Sequence, residues 1–169
     1  MNIVKPGFTY DVFTRSKADA GLIEAMRGVK NHVPREGLNA MATASLKNGS
    51  GPAAFYIGLW SGAHIPDGEE TADTLASLVT EVTTYSQTGR LPLVLGNVAD
   101  GAVSNAASLA RFDMLGTGTI NGAFVSTVQA KNAATGTLYS VVRFPNPRAF
   151  DASLYLEVLV GFQFTSLSL

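Results

Sequence analysis

Hydrophobic and polar positions alternate most clearly near the C-terminus. Every second residue is apolar over a stretch of eleven, in the set Leu154, Leu156, Val158, Val160, Phe162 and Phe164. A period of two puts these side chains on one face of a β-strand. At ~3.3 Å per residue the stretch runs about 36 Å, well beyond an ordinary strand. The pattern predicts a long strand whose apolar face must be covered by several partner strands.

Shorter strand patterns precede this one and are separated by turns rich in Gly, Asn and Asp. They span Ala53–Trp60, Leu91–Leu95, Arg111–Leu115, Thr119–Gln129 and Thr137–Phe144. The last two predict a hairpin, after which Pro145–Pro147 turns the chain into the final strand. Six or more short strands predict a mainly β protein, an antiparallel β-sandwich or jelly-roll-like domain.

The first 48 residues show other patterns. Met1–Arg15 predicts an extended arm that adds a strand either to the protein's own sheet or to a neighbouring subunit. Ser16–Arg27 and Pro34–Lys47 have helical spacing, with Ser16 as an N-cap and Pro34 at a helix start. Because Gly49–Pro52 is a clear break, we predict an arm and helices over residues 1–48 and a β-sandwich domain over residues 49–169.

The segment after the loop Ser61–Glu70 fits two structures. Leu75, Leu78 and Val79 fit a short helix, whereas Val79–Tyr85 with its threonines fits a strand. We predict a short helix over Thr71–Glu81.

The composition points to contact with other chains. Charged residues make up 15% of the sequence, against roughly a quarter in ordinary soluble domains. No apolar run reaches the roughly 20 residues of a membrane span, and Met1–Thr14 lacks the features of a signal peptide. With no cysteine in the chain, these features predict synthesis in a cytoplasm without disulfides, export or membrane insertion.

Charge is divided unevenly along the chain. Residues 1–47 hold seven basic and four acidic residues, a balance of +3, and the total of −1 leaves −4 for the remainder. The basic residues are spread singly rather than clustered, which argues against nucleic-acid binding.

Candidate chemistry is sparse. His64 lies near Asp67, Glu69, Glu70 and Asp73, but one imidazole makes a weak metal site, so we interpret this segment as a solvated loop without metal or cofactor. Glu81 with Asp113 or Glu157 could by chance form the carboxylate pair of a glycosidase, which stays an alternative at this point. The sequence has no nucleophile elbow and no phosphate-binding loop, so we predict a protein that is not an enzyme.

The arginines are better explained as partners in ion pairs than as catalytic residues. Arg111, Arg143 and Arg148 fall in or beside predicted strands. We expect interstrand or intersubunit pairs with Asp113, Asp151 or Glu157, because the planar guanidinium suits carboxylates.

From Glu36 onward the order of motifs resembles a family of small structural proteins of tailed bacteriophages. The resemblance lies in structural motifs spread over about three quarters of the chain: Gly37–Ala40, Phe55–Trp60, Glu81–Arg90, Val103–Ala107, Ile120–Val125, Ala134–Tyr139 and Pro147–Ala149. Residues 1–35 fall outside it.

The resemblance implies a virion component on the capsid exterior. The first expectation is a homotrimeric decoration or cement protein that binds the major capsid protein and stabilises the head. The interface residues of this hypothesis are Lys5, Phe8, Tyr10, Phe13 and Arg148. A tail, neck or fibre-base adaptor is the second expectation, and a host-surface glycan-binding module with an aromatic platform at Trp60 or Tyr85 is the third.

Overall fold

The computed structural model describes residues 3–167 and contains two antiparallel β-sheets and two helices. The elements in chain order are β1 (Ile3–Ser16), β2 (Leu22–Lys30), α1 (Arg35–Leu46), β3 (Tyr56–Ser61), α2 (Ala72–Leu78), β4 (Thr80–Val82), β5 (Leu91–Pro92), β6 (Ala102–Ser104), β7 (Ala110–Asp113), β8 (Gly118–Ser126), β9 (Leu138–Phe150) and β10 (Leu154–Leu167). The predicted β-sandwich is confirmed.

The first sheet, sheet A, is built around the pairing of β1 with β10. Its order is β2-β1-β10-β6, and β7 pairs with another stretch of β10. The two long strands pair from Ile3 opposite Leu167 to Ser16 opposite Leu154. Of the two alternatives for the arm, the structure therefore shows a strand of the protein's own sheet. Strands from both predicted segments, 1–48 and 49–169, share this sheet.

The second sheet, sheet B, has the order β4-β3-β8-β9, with β5 also paired to β3. The apolar faces of the two sheets meet in one core that holds Tyr10, Phe112 and Leu156 from sheet A and Ile57 and Val142 from sheet B. The opposite face of sheet B packs under α2 through Trp60, Leu75, Phe124, Leu138 and Val141. Close packing of this kind leaves few voids and fixes the sheets against each other.

The helix prediction for Ser16–Arg27 is wrong, because this segment ends in strand β2. It lies at the edge of sheet A, where only Met26 of the strand is buried. Its pairing with β1 is interrupted between Tyr10 and Val12, and Gly28 adopts a positive φ of 64°. Such a bulge disturbs the alternation by which a strand is read from sequence. The helix predictions over Pro34–Lys47 and Thr71–Glu81 are confirmed as α1 and α2, and the latter is followed directly by β4.

The predicted turn at Pro145–Pro147 is also wrong. Strand β9 continues through it to Phe150, and its pairing with β8 skips from Gly122 opposite Arg143 to Ile120 opposite Arg148. Residues 144–147 thus stand against Asn121 alone. The prolines are tolerated because the extra residues leave the hydrogen-bond ladder.

Candidate functional site

Three of the residues expected to contact a partner lie against the protein's own core. Phe8 and Tyr10 are buried on the inner face of sheet A, where the Tyr10 hydroxyl donates to the Ser140 hydroxyl (2.6 Å). Phe13 is buried beneath the Arg27 guanidinium, 4.9 Å from its ring centroid. Lys5 lies in β1 opposite Thr165. Phe8 and Tyr10 therefore help to hold the two sheets together in the isolated chain.

The arginines form ion pairs within the chain. Arg148, buried in β9, pairs with Glu24 of β2 and so links the two sheets. Arg111 pairs with Asp113 at 2.8 Å, but within strand β7 rather than between strands or subunits as predicted, and Glu157 pairs with Arg15 at 2.8 Å. Arg143 instead donates to the carbonyl of His64. The carboxylates considered for a glycosidase lie in different sheets: Glu81 is in sheet B, and Asp113 and Glu157 are in sheet A.

The loop between β3 and α2 is largely exposed, as the sequence predicts, but one of its carboxylates is buried and fixes it. Glu70 is 2% exposed and accepts hydrogen bonds from His64 Nε2 (2.7 Å) and from the backbone N–H groups of Asp67 and Gly68 (both 2.9 Å). Burial raises the pKa of Glu70, but these hydrogen bonds outweigh it and the net pKa is lowered. The geometry is that of a structural anchor.

This rigid loop displays a large aliphatic side chain. Ile65 is 74% exposed, although His64 beside it is held by Glu70 and Pro66 on its other side is buried. Arg143 secures the same loop by donating to the carbonyls of Gly62 and His64. We call residues 62–70 the Ile65 loop. An apolar side chain on a preorganised loop loses little entropy when it binds a partner.

A second buried charge holds the segment 126–133. The Arg90 guanidinium forms two hydrogen bonds with the Glu81 carboxylate (3.0 and 2.8 Å) and donates to Ser126 Oγ and to the carbonyls of Val128 and Ala133. All five of its N–H groups are thus used. A cavity of about 250 Å³ lies beside this pair under α2. The two charged groups of this pair serve the fold. Sequence reasoning considered Glu81 only as a possible catalytic carboxylate and missed its pairing with Arg90, whose other partners are distant in the chain.

An apolar cleft of about 240 Å³ is lined by residues of helix α1 and of both sheets. We call it the α1 cleft. Its lining combines Phe8 and Phe162 of sheet A, Tyr139 of sheet B with Phe55 just before β3, and Met41 and Ala44 of α1. None of the described residues that line it is charged. It fits an uncharged, apolar group.

Helix α1 covers this cleft because a glycine brings it close to β9. A Cβ on Gly37 would lie 2.8 Å from the carbonyl oxygen of Leu138 and 2.9 Å from Cα of Tyr139. Gly37 is the only buried residue of the helix, so the remainder overhangs the cleft with Met41 and Ala44 half-buried.

Tyr139 and Ser45 are the two hydroxyl-bearing residues among those that line the cleft. The Tyr139 side chain is 5% exposed, and burial raises the pKa of its hydroxyl. Its ring packs edge-on against Phe55 with centroids 4.9 Å apart. This phenol is a hydrogen-bonding group next to a mostly apolar lining, an arrangement that orients a ligand in many binding sites.

The aromatic residues proposed for glycan binding are internal. Trp60 is fully buried and its indole N–H points at the carbonyls of Ala123 (3.3 Å) and Val142 (3.2 Å). Tyr85 is 2% exposed and packs edge-on against Phe112. Neither residue forms the exposed platform on which that expectation depends.

Comparison with known proteins adds no family assignment. No protein-family model matches the chain, and no curated protein matches it. Within residues 3–167 there is no group of three or more His, Cys, Asp or Glu side chains arranged to hold a metal ion. Neither α1 nor α2 has the length and apolar character of a membrane-crossing helix.

Proposed function

We propose that this protein is a structural component of a tailed-bacteriophage virion, a decoration or cement protein that binds the major capsid protein on the outside of the head. The observation that carries the proposal is the Ile65 loop, where an aliphatic side chain that is 74% exposed stands on a loop fixed by buried Glu70. Rigid apolar anchors of this kind dominate the energetics of protein interfaces.

The use of charge in the fold agrees with a binding role. The buried ionic groups Glu70, Arg90 and Arg148 each make contacts that hold a loop or link the sheets. The surface meanwhile exposes further aliphatic side chains, with Leu46 at 81% and Val98 at 74%. Together with a charged fraction of 15%, this supports a protein that works in contact with other subunits.

The resemblance to phage structural proteins supports a virion component, and we propose the head as its location. A cement protein stabilises the shell it binds by the free energy of binding, provided that it does not bind the competing state. We propose the homotrimer as the assembly in which it binds.

The first test is the ratio of this chain to the major capsid protein in purified particles, measured by quantitative mass spectrometry. A ratio near one supports shell-wide decoration. A ratio of a few per cent would move the protein to the tail, neck or fibre base, and absence from particles would refute a virion role.

The second test adds purified protein to particles that lack it. We expect Ile65→Ser to weaken binding at least about tenfold, since a buried aliphatic anchor is worth about 1.5–3 kcal/mol. Leu115→Ser is the matched control, because Leu115 is 60% exposed and follows β7 in the other sheet. Equal binding by both variants would show that the Ile65 loop is not the contact.

A further inference from the structure

The sequence contains two Asn-Gly pairs, Asn48–Gly49 and Asn121–Gly122. An asparagine that is followed by glycine loses its side-chain amide most readily, because glycine has no side chain to hinder the attack of its backbone nitrogen on the amide carbon. The two pairs share this intrinsic reactivity. In the folded protein, a difference between them must therefore come from their surroundings.

Asn48–Gly49 lies just beyond the C-terminus of α1. Asn48 is exposed and has a positive φ of 54°, and it follows the helix C-cap Lys47. The backbone N–H of Gly49 donates to the carbonyl of Thr43 (3.1 Å), and hydrogen bonds at the end of a helix open easily. The only buried residue of α1, Gly37, lies in its first turn, so little packing opposes opening of the last turn.

Asn121–Gly122 lies inside sheet B. Its strand, β8, is paired with β3 on one side and with β9 on the other. Asn121 is half-buried, and its Oδ1 accepts the backbone N–H of Gly62 (3.0 Å). Gly122 is buried, with the Trp60 ring and the carbonyl of Val142 so close that a Cβ would not fit. The asparagine can turn its amide toward the glycine nitrogen only when β8 separates from its neighbours.

We propose that Asn48 is a site of spontaneous covalent modification in the folded protein, whereas Asn121 is protected. The backbone nitrogen of Gly49 attacks Cγ of Asn48, and the new C–N bond closes a succinimide ring. The bond from Cγ to Nδ2 breaks, and the amide leaves as ammonia with the proton from Gly49. Water then opens the ring at either carbonyl and leaves aspartate or isoaspartate. Water is the only co-reactant.

The product changes the connection between α1 and β3. Aspartate and isoaspartate each add one negative charge to a chain whose net charge is −1. This charge lies at a helix C-terminus, where the backbone carbonyls already carry partial negative charge. Isoaspartate also adds a carbon atom to the main chain. The modification should therefore weaken the last turns of α1, which contribute Ala44 and Ser45 to the α1 cleft. The chemistry does not depend on the virion role.

The experiment incubates the full-length protein at mildly alkaline pH and follows each Asn-Gly peptide by mass spectrometry after proteolysis. The exchange of an amide for a carboxyl group changes the peptide mass, and fragmentation separates aspartate from isoaspartate. We expect Asn48 to convert at least about a hundredfold faster than Asn121, a ratio that corresponds to about 2.8 kcal/mol. The opening of a central strand costs more than the opening of a helix end by at least this amount.

Two controls separate the fold from the local sequence. In guanidinium chloride, where the chain is unfolded, the two pairs should convert at rates within about threefold of each other, because neither is then protected. Asn48→Gly is the matched variant, since glycine accepts the positive φ and carries no amide. It should remove the change in this peptide and leave the Asn121 rate and the thermal unfolding unaltered.

Two results would overturn the proposal. One is a folded protein in which Asn48 converts no faster than Asn121, although both convert in guanidinium chloride. The hydrogen bond to Thr43 would then hold Gly49 as firmly as sheet B holds Gly122. The other is a difference between the two pairs that persists unchanged in the unfolded chain, because it would then come from the local sequence and not from the structure.

Discussion

Removal of Arg90 should destabilise this protein more than removal of any surface arginine. The Arg90 and Glu81 side chains are only 4% and 7% exposed, and the guanidinium also lies over the Phe124 ring, 4.8 Å from its centroid. Arg90→Met leaves the buried Glu81 carboxylate without its counter-ion, which costs about 3–5 kcal/mol in comparable pairs. For a chain of this size each kcal/mol corresponds to ~2–4 °C, so the melting temperature should fall by about 6–20 °C.

The assay is urea unfolding followed by the fluorescence of Trp60, the only tryptophan of the chain. Trp60 packs in the same cluster as Phe124, so it reports on the part of the fold that Arg90 holds. Arg111→Met is the control, because Arg111 and Asp113 are 49% and 27% exposed and such surface pairs contribute at most ~1 kcal/mol.

The double variant separates charge from packing. Replacing both partners by apolar residues, Arg90→Met with Glu81→Leu, should cost less than the sum of the single substitutions, since no uncompensated charge remains buried. If Arg90→Met costs no more than Arg111→Met, or if the single effects add, the pair does not hold the segment as described.

Four further results are expected. Because the pKa of Glu70 is lowered in the folded protein, its contribution to stability is complete above the ordinary carboxyl pKa and is lost as pH falls through the lower, folded value. In Glu70→Gln the free energy of unfolding, measured with urea, should therefore depend less on pH in the acid range. Gly37→Ala should cost about 1–3 kcal/mol by pushing α1 from β9, whereas Gly51→Ala, with open space around it, should be neutral in the same calorimetric scan. Arg148→Ala should lower the melting temperature without changing the oligomer mass, and a changed mass would point to an intersubunit pair. Deletion of residues 1–15 should abolish cooperative unfolding, because β1 lies inside sheet A; a truncated chain that still melts cooperatively would contradict this.

The strands that sequence patterns identify well are those with one buried face. The hairpin of β8 and β9 was predicted from its apolar runs, although both faces of these strands are buried and β9 continues past Phe144 to Phe150. Leu154–Phe164 alternates without interruption and lies within β10. Periodicity works here because the burial of alternate side chains is itself the cause of the pattern.

Strand β2 and the β9 bulge were not predictable in the same way. Only Met26 of β2 is buried, so the segment follows Leu22 and Met26 as easily around a helix as along a strand. Its structure is decided by pairing with β1, a tertiary effect that overrides local propensity. Pro145 and Pro147 indicate a turn when the sequence is considered alone. The pairing of β9 with β8 shows that they lie in a bulge.

The candidate sites depend on contacts between distant parts of the chain. The Arg90 contacts reach Ser126 and Ala133, and the α1 cleft combines Phe8, Met41 and Phe162. Glu36 likewise accepts the N–H groups of Ala72 and Leu138 (2.9 and 2.7 Å). No local motif encodes such contacts, so a single sequence does not show that these residues lie together. The Glu70 anchor is partly visible in the sequence, because His64 and the nearby carboxylates lie within one short segment.

The pairing of β1 with β10 sets the order in which the chain can fold. These strands are neighbours in space but lie at opposite ends of the described sequence, and closing a loop of that length costs about 4–5 kcal/mol in the logarithmic estimate. During synthesis on the ribosome, β1 must wait until β10 has emerged, whereas β3, β8 and β9 of sheet B can pair earlier. Folding should accordingly be slow, with sheet A as the last part to form. The α1 cleft, which is lined by Phe8 of β1 and Phe162 of β10, would then exist only after these two strands have paired.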